Sequence, residues 1–256
     1  MRHILMIGDI IGSPGRRAIQ TRLPGLRQKH KVDVVIANGE NAAGGLGLTV
    51  DTADALFSSG VDVITSGNHI WDQRDIIPHL DGERHIIRPL NYPPGVPGRG
   101  YLVVNGCLVV NLIGRTFMSA YDCPFRAMDS LLAGLPDRPP IVLVDIHAEA
   151  TSEKMAMGRY LDGRVTAVAG THTHVGTVDA RILNKGTAYV TDIGMVGPMD
   201  GVIGDDADAV IQRFLTMIPR RLTVGKGALF MNSVLIEADE KSGMATSITR
   251  IDLTVD

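Results

Sequence analysis

Short apolar runs that end in polar or charged residues recur along the chain, and most are rich in β-branched side chains. Runs of this length, bounded by Gly, Asn and Asp, read as buried strands. They predict strands at 3–7, 32–37, 61–64, 141–145 and 165–169. Helical spacing between them predicts helices from Ser13 and Pro14 onward, at 52–59, at 71–80 and from about residue 152. Ser13 is expected to cap the first helix with Pro14 in its first turn, and Pro24 to kink or restart it after 16–23. Strand and helix alternate here, which predicts a parallel sheet with right-handed crossovers.

The pattern changes after the short run 85–88 and the proline- and glycine-rich loop 89–100. Runs 101–104 and 107–113 flank Asn105-Gly106, the strongest short hairpin signal in the chain. Runs 180–183 and 187–191 flank Asn184-Lys185-Gly186, residues 206–217 read as a helix, and 228–236 with 244–253 form a long hairpin about Glu240-Lys241-Ser242-Gly243. The sheet is therefore expected to turn antiparallel in this part.

Composition narrows the class. The 256 residues, 45% hydrophobic and 21% charged, suit a soluble globular protein with one large core. A net charge of -3 supplies no basic field for nucleic acid, so an anionic ligand must be held locally. Cys107 and Cys123 are too few and too far apart for a zinc knot or a disulfide framework, which predicts a cytoplasmic protein with free thiols. The run Ile4-Leu5-Met6-Ile7 leads into Gly8-Asp9 and reads as a strand rather than as part of a signal peptide. No apolar run approaches the roughly 20 residues of a membrane span.

The chemistry collects where strands end. Asp9, Glu40 with Asn41, Asn68 with His69, His147, and His172 with His174 each follow a predicted strand. Loops at the carboxyl ends of strands are where open α/β sheets hold ligands. Thr171-His172-Thr173-His174 is the most specific of these signals, because alternation along an extended chain aims both imidazoles to one side. Carboxylate, amide and imidazole without thiolate favour manganese, iron or zinc, and there are too many donors for one ion. A carboxylate bridging two cations roughly 3.5 to 4 Å apart would form the two-metal arrangement used for displacement at phosphorus. With only Asp9 and Glu40 anionic, such a site would carry about +2, suited to a phosphate ester and a bound hydroxide.

Simpler readings stand beside these. Asp9 could stabilise a turn, Glu40 could pair with Arg88, and His147 could be a hydrogen-bonded loop residue. Trp71 reads as a packing residue, and Arg115 as a salt-bridge partner ahead of a phosphate clamp. The glycines at 8–15 lack the Gly-Lys-Ser/Thr that ends a P-loop.

The order Gly8-Asp9, Glu40-Asn41, Gly67-Asn68-His69, His147 and Gly170-Thr171-His172-Thr173-His174 resembles the calcineurin-like metallophosphoesterase superfamily. The stretches Val35-Ile36-Ala37-Asn38-Gly39-Glu40-Asn41-Ala42-Ala43-Gly44-Gly45 and Thr191-Asp192-Ile193-Gly194-Met195-Val196-Gly197-Pro198 are similar to its YmdB-type branch of bacterial phosphodiesterases. Two departures from the wider superfamily stand out: Ile11 replaces the histidine of Asp-x-His, and Glu40 replaces an aspartate. The resemblance covers the whole chain and implies one metallophosphoesterase domain, 1–256. Its implied architecture is a four-layer α/β/β/α sandwich of two mixed sheets with outer helices.

The resemblance also implies two divalent transition-metal ions, iron or manganese ahead of zinc, with Glu40 bridging. Asp9, His172, His174 and Asn41 would serve one ion, and Asn68 with His147 the other. His69 would face the phosphate and assist the leaving group while a metal-bridging hydroxide attacks. The implied substrates are cyclic nucleotide phosphodiesters, the 2',3'-cyclic type above all. Two rivals stay open, a phosphomonoesterase and a nucleotide-binding regulator of RNA processing without essential catalysis. A homo-oligomer also stays open.

Overall fold

The computed structural model describes residues 1–255. In chain order the elements are β1 (Arg2–Ile7), β2 (Asp9–Ile10), α1 (Gly12–His30), β3 (Val34–Asn38), α2 (Val50–Ser58), β4 (Val63–Thr65), β5 (Tyr101–Val104), β6 (Cys107–Ile113), α3 (Pro124–Gly134), β7 (Ile141–His147), α4 (Thr151–Leu161) and β8 (Ala167–Thr171). There follow β9 (Arg181–Ile182), β10 (Ala188–Val190), β11 (Met195–Pro198), α5 (Ala207–Thr216), β12 (Leu229–Ala238) and β13 (Ala245–Val255). One sheet runs β2-β11-β12-β1-β3-β4, with β13 paired to β12, and the other runs β5-β6-β7-β8-β10-β9.

Period-two alternation divides the core into three apolar layers. Ile4 and Met6 on β1, with Val34 and Ile36 on β3, meet Val109, Leu143, Ala167 and Val190 of the second sheet. Their neighbours Leu5, Ile7, Val35 and Ala37 face the other way, onto Ala18, Ile19 and Leu23 of α1 and Leu56 of α2. Beyond the second sheet, Val110, Val142, Val144 and Val168 pack on Met128, Leu132 and Met157 of α3 and α4. Strands apolar on both faces cannot sit at a surface, so two sheets stack face to face with helices outside each. The mixed four-layer sandwich is the architecture expected.

Several local expectations hold and several do not. Asn105 and Gly106 are both left-handed, with φ of 48° and 75°, as the two-residue turn between β5 and β6 requires. The second sheet does not turn antiparallel throughout, because α3 and α4 are crossovers that keep β6, β7 and β8 parallel. Helix α3 is not among the expected elements, although Phe125, Met128, Leu131 and Leu132 carry helical spacing. Helix α1 begins at Gly12 without a side-chain cap and runs through Pro24, so Ser13 is not its cap and Pro24 does not restart it.

The helix expected at 71–80 is only a short 3-10 turn, Ile77–His79. Its polar side chains are bonded elsewhere: Asp72 to His69, Gln73 to the Leu46 carbonyl and Asp75 to the Val50 amide. Those bonds hold the segment in turns that a helix would break.

Candidate functional site

The parallel strands β1, β3 and β4 of one sheet and β7 and β8 of the other end at a common edge, and the chemistry stands there. Asp9, Glu40, Asn41 and His147 are all buried, and a cavity of about 290 Å³ opens above them, lined by Ile11, Leu46, His69, Glu149, His174 and Ile203 among others. His147 is the last residue of β7, not a loop residue. Glu40 does not pair with Arg88, whose guanidinium donates to the Pro89, Val96 and Pro97 carbonyls.

Two groups of donors share one carboxylate. Around His147 Nε2 lie Glu40 Oε1 at 2.9 Å, His172 Nδ1 at 3.0 Å and Asn68 Oδ1 at 3.2 Å. Ligand atoms of Glu40, His147 and His172 all fall within 4.8 Å of one another, the spacing of a common ion. The same Glu40 Oε1 is 3.4 Å from Asn41 Nδ2, which is 3.2 Å from His174 Nε2, and that atom in turn is 3.7 Å from Asp9 Oδ1. His172 therefore stands with Asn68 and His147, not with Asp9 and His174 as the resemblance implied. The reason is local: His172 and His174 have φ of 97° and 64°, so the chain turns sharply and the rings part. Alternation along an extended strand no longer applies there.

The residues present suit cations. Asp9 Oδ2 accepts from the His172 amide at 3.0 Å, but Oδ1 is buried and has no hydrogen-bond partner in the protein. An orphaned carboxylate oxygen facing two imidazoles is a costly arrangement that a bound cation would relieve. Gly67 lets β4's exit pass close by: a Cβ there would collide with Glu40 Oε2 and the His147 ring.

Hydrogen bonds behind the site aim its donors. Thr171 Oγ1 donates to Asp145 Oδ1 at 2.7 Å and so accepts from His147 Nδ1–H at 2.9 Å, which leaves Nε2 turned to the donor group. Asp145 is buried and takes two further bonds, from Asn38 Nδ2 and Thr65 Oγ1. Glu149 Oε2 lies 3.1 Å from His172 Nε2, a close approach without a hydrogen bond between them. The left-handed turn is held by Asp192, whose Oδ2 accepts from Thr173 Oγ1 at 2.7 Å and from the buried Lys154 Nζ at 2.6 Å. His69 is not enclosed in this way: it is partly exposed, its Nδ1 bonds Asp72 Oδ2 at 2.8 Å, and its amide donates to Glu40 Oε2 at 3.1 Å.

Burial pushes the Asp9 carboxyl up to about 6 against the pull of the His174 and His147 charges. Burial acts the same way on Glu40, but the charge and hydrogen bond of His147 outweigh it and hold Glu40 down at about 2. Burial would lower His147, yet the Glu40 carboxylate raises it to about 9. His172, buried beside that cation, falls to about 3 and is neutral.

With this geometry in hand, kinship is decisive. The sequence matches the model of the YmdB-like protein family over residues 5–251. The chain belongs to the YmdB-like family. It is 49% identical over 253 residues to a protein of Bacillus subtilis strain 168 described as a 2',3'-cyclic-nucleotide 2'-phosphodiesterase, covering 97% of this chain and 96% of that one. A hypothetical protein from Thermus thermophilus has a similar crystal structure, with a TM-score of 0.92, 43% identity, and 98% and 99% of the two chains covered. So does a phosphatase from Mycoplasma pneumoniae, with a TM-score of 0.93, 33% identity, and 99% and 93% covered.

Sequence reasoning named the residues nearest the cavity but missed Asp72, Asp145, Glu149, Thr171, Lys154 and Asp192. Spacing could have flagged Asp72, three residues after His69; the others meet the site only through tertiary contacts.

Proposed function

We propose that this YmdB-like chain is a metal-dependent phosphodiesterase that hydrolyses cyclic nucleotide phosphodiesters of the 2',3' type at the 2' ester bond. The Bacillus relative supports the substrate class, and the donor set supports the metals. The observation that carries the two-ion reading is Glu40: Oε1 is 2.9 Å from His147 Nε2 and 3.4 Å from Asn41 Nδ2, so one carboxylate faces both donor groups. Glu40, Asn68, His147 and His172 would hold one cation, and Glu40, Asp9, Asn41 and His174 the other. Imidazole, carboxylate and amide donors suit iron or manganese, with zinc third. When bound, such cations supply an activated water and offset the charge of the phosphoryl oxygens.

The chain's own residues do the rest. Asp9 and Glu40 are fixed by amide donors from His172 and His69 and need not reorganise as charge moves. With Asp72 accepting from His69 Nδ1–H, the doubly protonated ring presents Nε2–H, which gives its proton to the departing 2' oxygen as the P–O bond breaks and leaves the ring neutral. The nucleoside leaves as its 3'-phosphate. Free thiols at Cys107 and Cys123 fit the reducing cytoplasm.

The Mycoplasma structure is described as a phosphatase, so the rival reading to be tested is a phosphomonoesterase, which the Bacillus relative does not support. Rates on bis-p-nitrophenyl phosphate and on p-nitrophenyl phosphate, with manganese added, separate the two. Faster hydrolysis of the diester, together with cleavage of 2',3'-cyclic AMP to 3'-AMP, is expected. A preference for the monoester would overturn the proposal.

A further inference from the structure

Residues 114–122 leave the end of β6 and form a strap between two parts of the site. At its start the Gly114 amide donates to the His147 carbonyl at 2.9 Å. The largely buried Glu153 carboxylate then accepts from the Arg115 and Thr116 amides, at 3.0 and 3.1 Å. At its end the Tyr121 ring meets Tyr92 edge-on, 5.0 Å between centroids, and the Tyr92 hydroxyl reaches the Gly67 carbonyl, one residue before Asn68. The strap is thus tied at one end to the strand of His147 and at the other to the loop of Asn68 and His69.

Between these ties is a tight turn, closed by the Met118 amide on the Arg115 carbonyl at 3.2 Å. Phe117 occupies its third position with φ of 61°, where glycine or asparagine is the favourable residue. A bulky ring there carries backbone strain. Its side chain gains nothing in return, since Phe117 is 89% exposed. Arg115, at the head of the turn, is exposed as well. Among the described residues the arginines paired with carboxylates are Arg2, Arg27, Arg84, Arg164 and Arg250, and Arg115 is not one of them. An unpaired cation and an uncovered aromatic face, held on a rigid strap beside a phosphoester site, form a recognition element for a nucleotide.

We infer that Phe117 is the platform on which the nucleobase of the substrate stacks, with Arg115 offering its charge to the phosphate. The inference rests on the phosphodiesterase reading and names what that site uses to tell a nucleotide from a simple diester. None of the strap's residues lines the small cavity, so Phe117 serves the base that extends beyond the phosphate, and Arg115 acts on the phosphate through its charge from outside the cavity.

The test uses the full chain. Equilibrium dialysis measures 3'-AMP binding to wild type, Phe117→Ala and Phe117→Tyr. Kinetics with manganese compare 2',3'-cyclic AMP with the 2,3-cyclic phosphate of methyl riboside, which lacks a base. Phe117→Ala is expected to weaken 3'-AMP binding, and to raise KM for 2',3'-cyclic AMP, on the order of 5- to 100-fold. Its kcat, thermal midpoint and KM for the base-free substrate should stay near wild type, and Phe117→Tyr should restore binding. Arg115→Ala should raise KM for both substrates; an unchanged KM removes Arg115 from the element. Equal 3'-AMP affinity in wild type and Phe117→Ala overturns the inference, as does a KM rise of the same size on the base-free substrate or a wild type that binds no nucleotide. Failure of wild type to cleave either cyclic phosphate overturns the phosphodiesterase reading alone, because dialysis still decides the part of Phe117.

Discussion

Glu149 Oε2 stands 3.1 Å from His172 Nε2, on the side of the ring opposite the Nδ1 that faces His147 Nε2 at 3.0 Å. A carboxylate this near favours electrostatically a ring proton on Nε2, which leaves the Nδ1 lone pair toward the donor group. Glu149→Ala should therefore weaken metal retention about 10- to 100-fold, the usual effect of losing such a partner. Glu149→Gln keeps an acceptor oxygen and should recover most of it. Metal affinity, titrated against a chelator of known strength, is the measurement; identical affinity in all three proteins would show that Glu149 only decorates the rim.

Glu40→Gln should lower occupancy at both proposed ions together. The amide offers one good ligand atom where the carboxylate offers two, and it removes a charge that offsets the cations. Elemental analysis of protein purified without chelator reads this directly, and full retention of one ion would rule out bridging.

His69→Ala should keep wild-type metal content and lose turnover on 2',3'-cyclic AMP by roughly 100- to 1,000-fold. The loss should shrink for a p-nitrophenolate leaving group, which departs without a proton. Asp72→Ala should show the same selectivity in milder form, since Asp72 acts on His69 Nδ1 rather than on the substrate. Equal losses for both leaving groups would contradict proton delivery.

Metal uptake should release protons. In the metal-free protein His147 is raised from 6.5 to about 9, so its ion pair with Glu40 stabilises the fold fully below pH 6.5 and is lost as pH rises through about 9. Asp9, raised to about 6, is already mostly ionised at pH 7. Filling the site that His147 serves must therefore displace chiefly the His147 proton at pH 7, about one proton in all. Affinity should climb between pH 6 and 9. A pH-stat titration of manganese into chelator-stripped protein checks the sign; binding without proton release would mean His147 is not a ligand.

Lys154→Met should cost about 3 to 5 kcal/mol of stability, because it leaves the Asp192 carboxylate buried without its cation. Adding Asp192→Asn should return part of that loss. Urea unfolding in the presence of chelator separates this from metal effects, and a change under about 1 kcal/mol for Lys154→Met would mean that water reaches the pair.

Local pattern alone determined much here. The β-branched runs specify the strands of both sheets, and Asn105-Gly106 specifies its hairpin, because backbone preference and side-chain period are properties of neighbours in sequence. The placing of Asp9, Glu40, Asn68, His147 and the His172-Thr173-His174 turn at strand ends follows from the same pattern. Tertiary structure decided what no local signal holds. The segment 71–80 lost its helix to bonds with Leu46 and Val50, which lie in another part of the chain. His172 parted from His174 because both take left-handed backbone, held through Asp192 and a lysine that α4 delivers from the far side of the sheet. Glu149 acquired its neighbour when β7 paired with β8, and Asp145 its donors when β3 and β4 of the other sheet stacked against that pair. Hydrogen bonds of about 3 Å depend on the positions of atoms distant in sequence, and only the packed sandwich sets those positions.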